Sequence, residues 1–490
     1  MSDPTPREFC RRHYAVLAAL VLGVAAFNLT FRLDREFVTE WDESLYAISA
    51  WEMFESGDWI GVRMFGNLDY SNTKPPLNVW LLVIAFKIFG RGLFALRFFS
   101  VLSAWLTILA LIIWSKRRFG PDVAVVAGTV LATAFGFLHV HSGRTANTDA
   151  LFTLLSLLVV ITLDAETRRP WRRLYLAPLV AAAFLLRGMG VLMPLAIVLV
   201  VDVVHWPRWR ERVVPSTVTW LLTLVPVAAW GWARYRLDGF RFLEPMFGHD
   251  FVARTLMPLD GHTGGPFYYA NILLKHHYDW IAAGVIAVLL VPGIVVKLRS
   301  APSLLRADPD LSLLIGAWAA STLLIPTVMA TKTPWYLNTF YPLFAIGVAY
   351  VLVYAVRQLT SMTASRARLG MLATAALLAF TVAEAKLWAY SVKYRDLNTS
   401  AQGLLLAEGG RLAGRRVYRD RLDRSTTFVA GLVGAELLST ESYTEAVRRA
   451  WPRDLILVSS PPDRHRRQFI LVAANEGNWL LVRRESKSSY

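Results

Sequence analysis

Long apolar runs alternate with short basic loops along most of this chain. The runs fall at about 14–31, 94–114, 122–140, 150–163, 174–187, 191–205, 216–233, 279–297, 311–330, 337–356 and 369–388. Most approach the roughly 20 residues that a helix needs to cross a bilayer, so eleven spans are expected. One further stretch, 77–89, holds about 13 apolar residues and is interrupted by Lys87. That is short for a crossing, and it predicts a re-entrant or interfacial helix.

The loop charges select this reading. Arg7, Arg11 and Arg12 precede the first run and put the amino end inside. With 77–89 interfacial, the densest basic loops (115–120, 164–173, 207–212, 297–306 and 365–368) all fall inside. If 77–89 crossed, every one of them would be outside. The polar segment 32–75, the turn "RGMG", the loop 234–275 and "TKTPWY" are then outside. Small residues at Ala25 and Ala26 would admit signal cleavage, but the apolar run continues to Phe31, which favours a retained first span.

The pattern changes after about residue 388. Short β-rich runs at Thr427–Val429, Leu455–Val458, Phe469–Val472 and Trp479–Val482, with a helical stretch at Ala446–Ala450, predict a small α/β domain. The expected fold is an α-helical polytopic membrane protein of about eleven transmembrane helices plus interfacial helices. Residues 1–388 form its membrane domain, and 389–490 a small soluble α/β domain on the outer, periplasmic side.

Composition narrows the classes. The chain has 490 residues, 55% hydrophobic and 18% charged, with a mean hydropathy of +0.41. A net charge of +16 would suggest nucleic acid in a soluble protein. Here the basic residues lie mostly in inner loops, so membrane lipids are the expected partner and nucleic acid is not. Cys10 is the only cysteine, which rules out an intrachain disulfide and a cysteine metal site. There is no glycine motif for a nucleotide.

Asp42, Glu43, Lys74, Arg144, Asp149, Arg187, His262 and Lys332 come from separated segments, yet the topology puts them all at the outer face. Each has a plain explanation alone. Asp42 can cap a helix from about Glu43 to Ser56 that Gly57 closes. Lys74 can anchor at the interface, Arg144 can pair with Asp149, and His262 can be a loop histidine. Together they mean more. Ionisable groups at membrane depth are costly and usually face a cavity or one another. Carboxylates beside several cations suit a phosphate-bearing substrate, with a carboxylate taking the proton of an incoming hydroxyl.

"WDESLY" through "SGDW" to "NTKPPL" resembles the first outer loop of the protein O-mannosyltransferase and aminoarabinose transferase group of polytopic GT-C glycosyltransferases. "RTANTDAL" (144–151), "FLLRGMGVLMP" (184–194), "HTGGPFYY" (262–269) and "ATKTPWYLNTFYPLFAI" (330–346) are similar to later landmarks, in the same order. The resemblance implies a GT-C core, a polyprenyl-phosphate-sugar donor and transfer on the periplasmic face of a bacterial inner membrane. The acceptor would be a lipid such as lipid A, another glycan or a protein. It implies catalytic roles for Asp42, its neighbour Glu43 and Asp149, and donor contacts from Lys74 and Tyr336; Arg144, Arg187 and Lys332 are the further outer-face cations expected at the donor phosphate. His262 would belong to a substrate loop. Thr73 stands where aminoarabinose transferases carry a glutamate that can share a zinc ion with a loop histidine. No metal or other cofactor is therefore expected from these positions, and the donor sugar is left open.

Two other readings compete. An O-antigen polymerase or ligase would use arginines of a late outer loop, and 234–275 holds Arg234, Arg236, Arg241 and Arg254. A flippase or transporter would place its charges near the midplane and often shows repeated halves, and no repeat is visible here.

Overall fold

The computed structural model describes residues 6–166, 169–291, 308–361, 366–421, 423–459 and 469–483. Among these, eight helical stretches are long and apolar enough to cross a membrane. One of them, Pro170–Val204, is really two helices, Leu176–Arg187 and Leu192–Val204, broken at Gly188–Val191. Arg173 before the first helix bonds Asp202 near the end of the second at 2.5 Å, so the pair folds back as a hairpin. Shorter helices at Pro121–Ala132 and Asp149–Glu166 occupy the remaining expected places. The 279–297 run is helical to Leu290, and its remainder from 292 lies outside the described residues, as does the loop 297–306.

Small residues let these helices close. A Cβ on Gly128 would sit 2.6 Å from Ile112, so glycine admits the approach of Pro121–Ala132 to Leu93–Arg118. Ion pairs tie the end where the basic loops gather. Arg118 bridges Asp164 and Asp308, Arg173 and Arg212 share Glu166, and Arg357 meets Asp122 at 2.6 Å. Removing one partner of the fully buried Arg173–Glu166 pair costs about 3–5 kcal/mol, because the other charge is stranded.

Leu77–Phe89 is a 13-residue helix. Its Val79, Leu82, Val83 and Phe86 pack into a core shared with the Asp42–Ser56 helix, while Ile84, Ile88 and Phe89 are exposed. This two-faced helix beside an exposed apolar strip fits the interfacial reading.

The carboxy-terminal unit carries a five-stranded sheet. Its central strand Leu455–Val458 pairs in parallel with Arg416–Arg419 and antiparallel with Asn478–Arg483. Glu436–Ser439 and Phe469–Asn475 form the two edges. The predicted strands at 455–458, 469–472 and 479–482 and the helix near 446–450 are present. Thr427–Val429 is a correction: it lies in a helix, Arg424–Leu432. Two parallel strands need a crossover between them. Asp423 starts that crossover helix by accepting from the Thr426 N–H at 3.1 Å, and Phe428 and Val429 face the core. The strands Arg416–Arg419 and Glu436–Ser439 were not anticipated. The core of this unit runs without a break into the Asp42–Ser56 helix: Phe86 stacks on Phe428, and Trp51 meets the same ring edge-on.

Candidate active site

Asp42 is the first residue of its helix and not the cap, which corrects the capping expectation. Trp41 holds the cap position without a side-chain bond, and its carbonyl accepts from the Ser44 hydroxyl at 3.0 Å. Trp41 has φ 74° and ψ −119°, a conformation that side-chain-bearing residues rarely adopt and that costs about 1–3 kcal/mol. Gly57 closes the helix at φ 69°, as expected. The strained corner turns the Asp42 carboxylate into a cavity of about 660 Å³.

Lys74, Asp149, Arg187, His262 and Tyr336 line the same cavity. Lys74 precedes two prolines and the Leu77–Phe89 helix, so its backbone is stiff. Its ammonium stands 5.9 Å over the Tyr46 ring and makes no ion pair among the described residues. Arg187 ends the Leu176–Arg187 helix, bonds Asp149 at 2.5 Å, and lies 5.9 Å from the Tyr336 ring. With Asp42 they come from six distant segments, set at helix ends and in the loops between them.

The electrostatics favour a charged pocket. Burial pushes the Asp42 carboxyl up, but Lys74, His141, Arg254 and Arg187 together outweigh it and hold it below the ordinary aspartate range. Burial pulls the Lys74 ammonium down, and Tyr46, Asp42 and Asp250 more than reverse this, so it stays charged. Burial raises the Tyr46 phenol to about 12.

Three expected residues lie elsewhere. Glu43 is fully buried and accepts from Arg97 at 2.8 Å, from the Ala146 N–H at 3.2 Å, and from the Thr39 N–H and hydroxyl at 2.8 Å each. Arg395 lies 3.6 Å from it. It is a structural hub behind the cavity wall. Arg144 is buried against Glu36 at 2.5 Å and against the carbonyls of Asn28 and Phe31. Lys332 turns its ammonium onto the carbonyls of Thr327 and Met329, at 2.7 and 2.6 Å, closing the end of the Pro309–Val328 helix.

Sequence reasoning missed several lining residues. His141 Nδ1 lies 3.8 Å from Asp42, and the ring stacks on Trp335 with centroids 3.9 Å apart. Its position three residues before Arg144 is the signal that could have found it. Asp250 pairs with Arg254 at 2.9 Å, and both line the cavity. Of the loop arginines weighed for a polymerase, Arg254 reaches the cavity, whereas Arg234 pairs with Asp238. One wall is apolar, with Leu192, Met193, Ile325, Pro326, Val328 and Met329. Among the described residues no group of three or more His, Cys, Asp or Glu side chains is placed to hold one metal ion.

Comparison with known proteins finds similar chains and folds. Residues 73–232 match the family model described as dolichyl-phosphate-mannose-protein mannosyltransferase. An undecaprenyl phosphate-alpha-4-amino-4-deoxy-L-arabinose arabinosyl transferase of Pseudomonas fluorescens is 28% identical over 290 residues, 56% of this chain and 47% of the relative. One from Pseudomonas paraeruginosa is 27% identical over 333 residues, 66% of this chain and 57% of the relative. The chain thus spans about half the length of these relatives. The crystal structure of ArnT from Cupriavidus metallidurans bound to undecaprenyl phosphate superposes with a TM-score of 0.68 at 17% identity, covering 95% of this chain and 97% of that one. The oligosaccharyltransferase of Archaeoglobus fulgidus gives 0.57 at 12% identity, over 88% and 65%. The chain thus has the GT-C fold of these polytopic transferases, and its residues 73–232 are similar in sequence to the mannosyltransferase family.

Proposed function

We propose that this protein is a membrane glycosyltransferase of a bacterial inner membrane. It moves a sugar from a polyprenyl-phosphate carrier to a hydroxyl on a periplasmic-side acceptor: lipid A, another glycan or a protein. The observation that carries this reading is the presence, in one cavity, of a solvent-reachable carboxylate, Asp42, and an ammonium, Lys74, that forms no close ion pair among the described residues. Arg187, by contrast, is already engaged by Asp149. The relatives' printed names, each an undecaprenyl-phosphate-sugar transferase, support the donor class.

The isoprenoid chain lies along the apolar wall at Leu192, Met193, Ile325, Pro326, Val328 and Met329, and its phosphate sits at Lys74. The sugar then points toward Asp42. The acceptor oxygen attacks C1 while Asp42 takes its proton. The C1–O bond to the phosphate breaks, the lipid phosphate leaves with the electron pair, and the anomeric carbon inverts. Lys74 offsets the charge gathering on the departing phosphate. The low-lying carboxyl of Asp42 is ionised at neutral pH and ready to accept.

The test incubates purified protein with a panel of radiolabelled polyprenyl-phosphate sugars and envelope extract. The reading expects label to move from one donor to an extractable acceptor, with opposite anomeric configuration by NMR. A folded protein that consumes none of the donors overturns it.

A further inference from the structure

The segment 36–43, which delivers Asp42, is gripped from two sides. On the membrane-domain side, Arg97 donates to the carbonyls of Glu36 and Phe37 and to the Glu43 carboxylate. The other side belongs to the carboxy-terminal unit. Glu36 forms a β-bridge with Asp396. The Phe37 N–H donates to the Arg395 carbonyl at 3.1 Å. The Gln402 amide brackets Val38, accepting from its N–H at 2.8 Å and donating to its carbonyl at 2.9 Å. Last in line is Glu40, whose two carboxylate oxygens accept from the backbone N–H groups of Arg424 and Ser425, at 3.1 and 3.0 Å.

Those two N–H groups open the Arg424–Leu432 helix, and Asp423, its N-cap, accepts from the third N–H of the same turn, that of Thr426. Glu40 is thus a cap donated from one unit to a helix of another, across 384 residues of chain. It also stands two residues before Asp42, on the far side of the strained Trp41. A residue at φ 74° relaxes unless both flanks are held. Glu43, fixed by Arg97, holds the following flank, and Glu40 holds the preceding one.

We propose that the carboxy-terminal unit is a positioning element for the base: by binding Glu40 at the start of Arg424–Leu432, it keeps the Trp41 corner strained and Asp42 aimed into the cavity. Glu40 is a positioning residue, acting through the backbone of Asp42. This rests on the reading of Asp42 as the base.

The test compares steady-state transfer by full-length Glu40→Ala, Arg424→Pro, Arg424→Ala and Asp42→Asn, with melting temperatures for each. Proline suits the first turn of a helix, and Asp423 before it is already extended at φ −141°. Arg424→Pro therefore removes one N–H and spares the helix, whereas Arg424→Ala loses the side chain and keeps the N–H. Misplacing a reacting group by about 1 Å can cost about 100-fold. Glu40→Ala is expected to lower kcat about 10- to 100-fold with donor KM changed less than about 3-fold. Arg424→Pro should fall the same way and Arg424→Ala should stay several-fold more active than it. The double variant Glu40→Ala/Arg424→Pro should be no worse than Glu40→Ala. The inference is overturned if Asp42→Asn is inactive while Glu40→Ala keeps wild-type kcat, or if both Arg424 variants lose activity equally. An active Asp42→Asn protein would instead overturn the functional reading.

Discussion

Asp42 and Glu43 are neighbours in sequence and opposites in place. Successive residues of a helix point about 100° apart, so one carboxylate enters the cavity while the other turns into the protein. Burial pushes Glu43 up, but Arg97 and Arg395, with the Thr39 N–H, hold it at about 2, against an ordinary value of 4.5. A depressed carboxyl adds stability above its unfolded value and loses it as pH falls through the folded one. Glu43 should therefore contribute roughly 3 kcal/mol that disappears between pH 4.5 and 2. Melting curves in detergent check this: the acid-side drop should shrink in Glu43→Gln, and Glu43→Ala should destabilise by about 3–5 kcal/mol at neutral pH. The two lysines also separate. Lys74→Ala should weaken donor binding in a direct lipid-phosphate titration. Lys332→Ala should cost about 1 kcal/mol of stability and leave that titration unchanged, since its ammonium is spent on carbonyls. The sequence marks which residues are ionisable and on which side they fall. It does not mark which have partners already. Arg144 and Arg187 looked alike, and only the fold shows Glu36 waiting behind the wall for one of them.

At the scale of elements, apolar length was enough to locate most of the long helices, because hydrocarbon leaves a spanning segment few alternatives to a helix. The 13-residue Leu77–Phe89 helix was legible for the same reason. The carboxy-terminal unit was harder to read: the Thr427–Val429 run has β-branched residues but belongs to a crossover, and tertiary need overrode local preference. The Gly188–Val191 turn gives the cavity two of its lining residues, Met189 and Gly190. Gly188, at φ 54°, turns the hairpin after Arg187, and a Cβ there would come 3.3 Å from the ring of Pro75, next to Lys74. Gly188→Ala should cost about 1–3 kcal/mol of stability and raise the donor KM, because the strain falls on the Lys74–Pro75 wall. An alanine variant with wild-type KM would remove this link.

Over the whole molecule, ion pairs gather at two ends with different tasks. The end of the basic loops is cross-braced by Arg118, Arg173, Arg212 and Arg357. The opposite end keeps a cavity with a charged side and an apolar side. This division predicts a topology. With Cys10 replaced by serine, a cysteine at the exposed Trp41 should react with a membrane-impermeant maleimide added outside intact cells, and one at exposed Trp206 should not. The central claim is that Asp42 takes the acceptor's proton beside a lipid-borne phosphate. Single-turnover transfer by Asp42→Asn, at saturating donor and with donor binding measured on the same sample, tests it most directly. Binding within about 3-fold of wild type with transfer down about 10²–10⁴-fold is the predicted result. Transfer near the wild-type rate would contradict it.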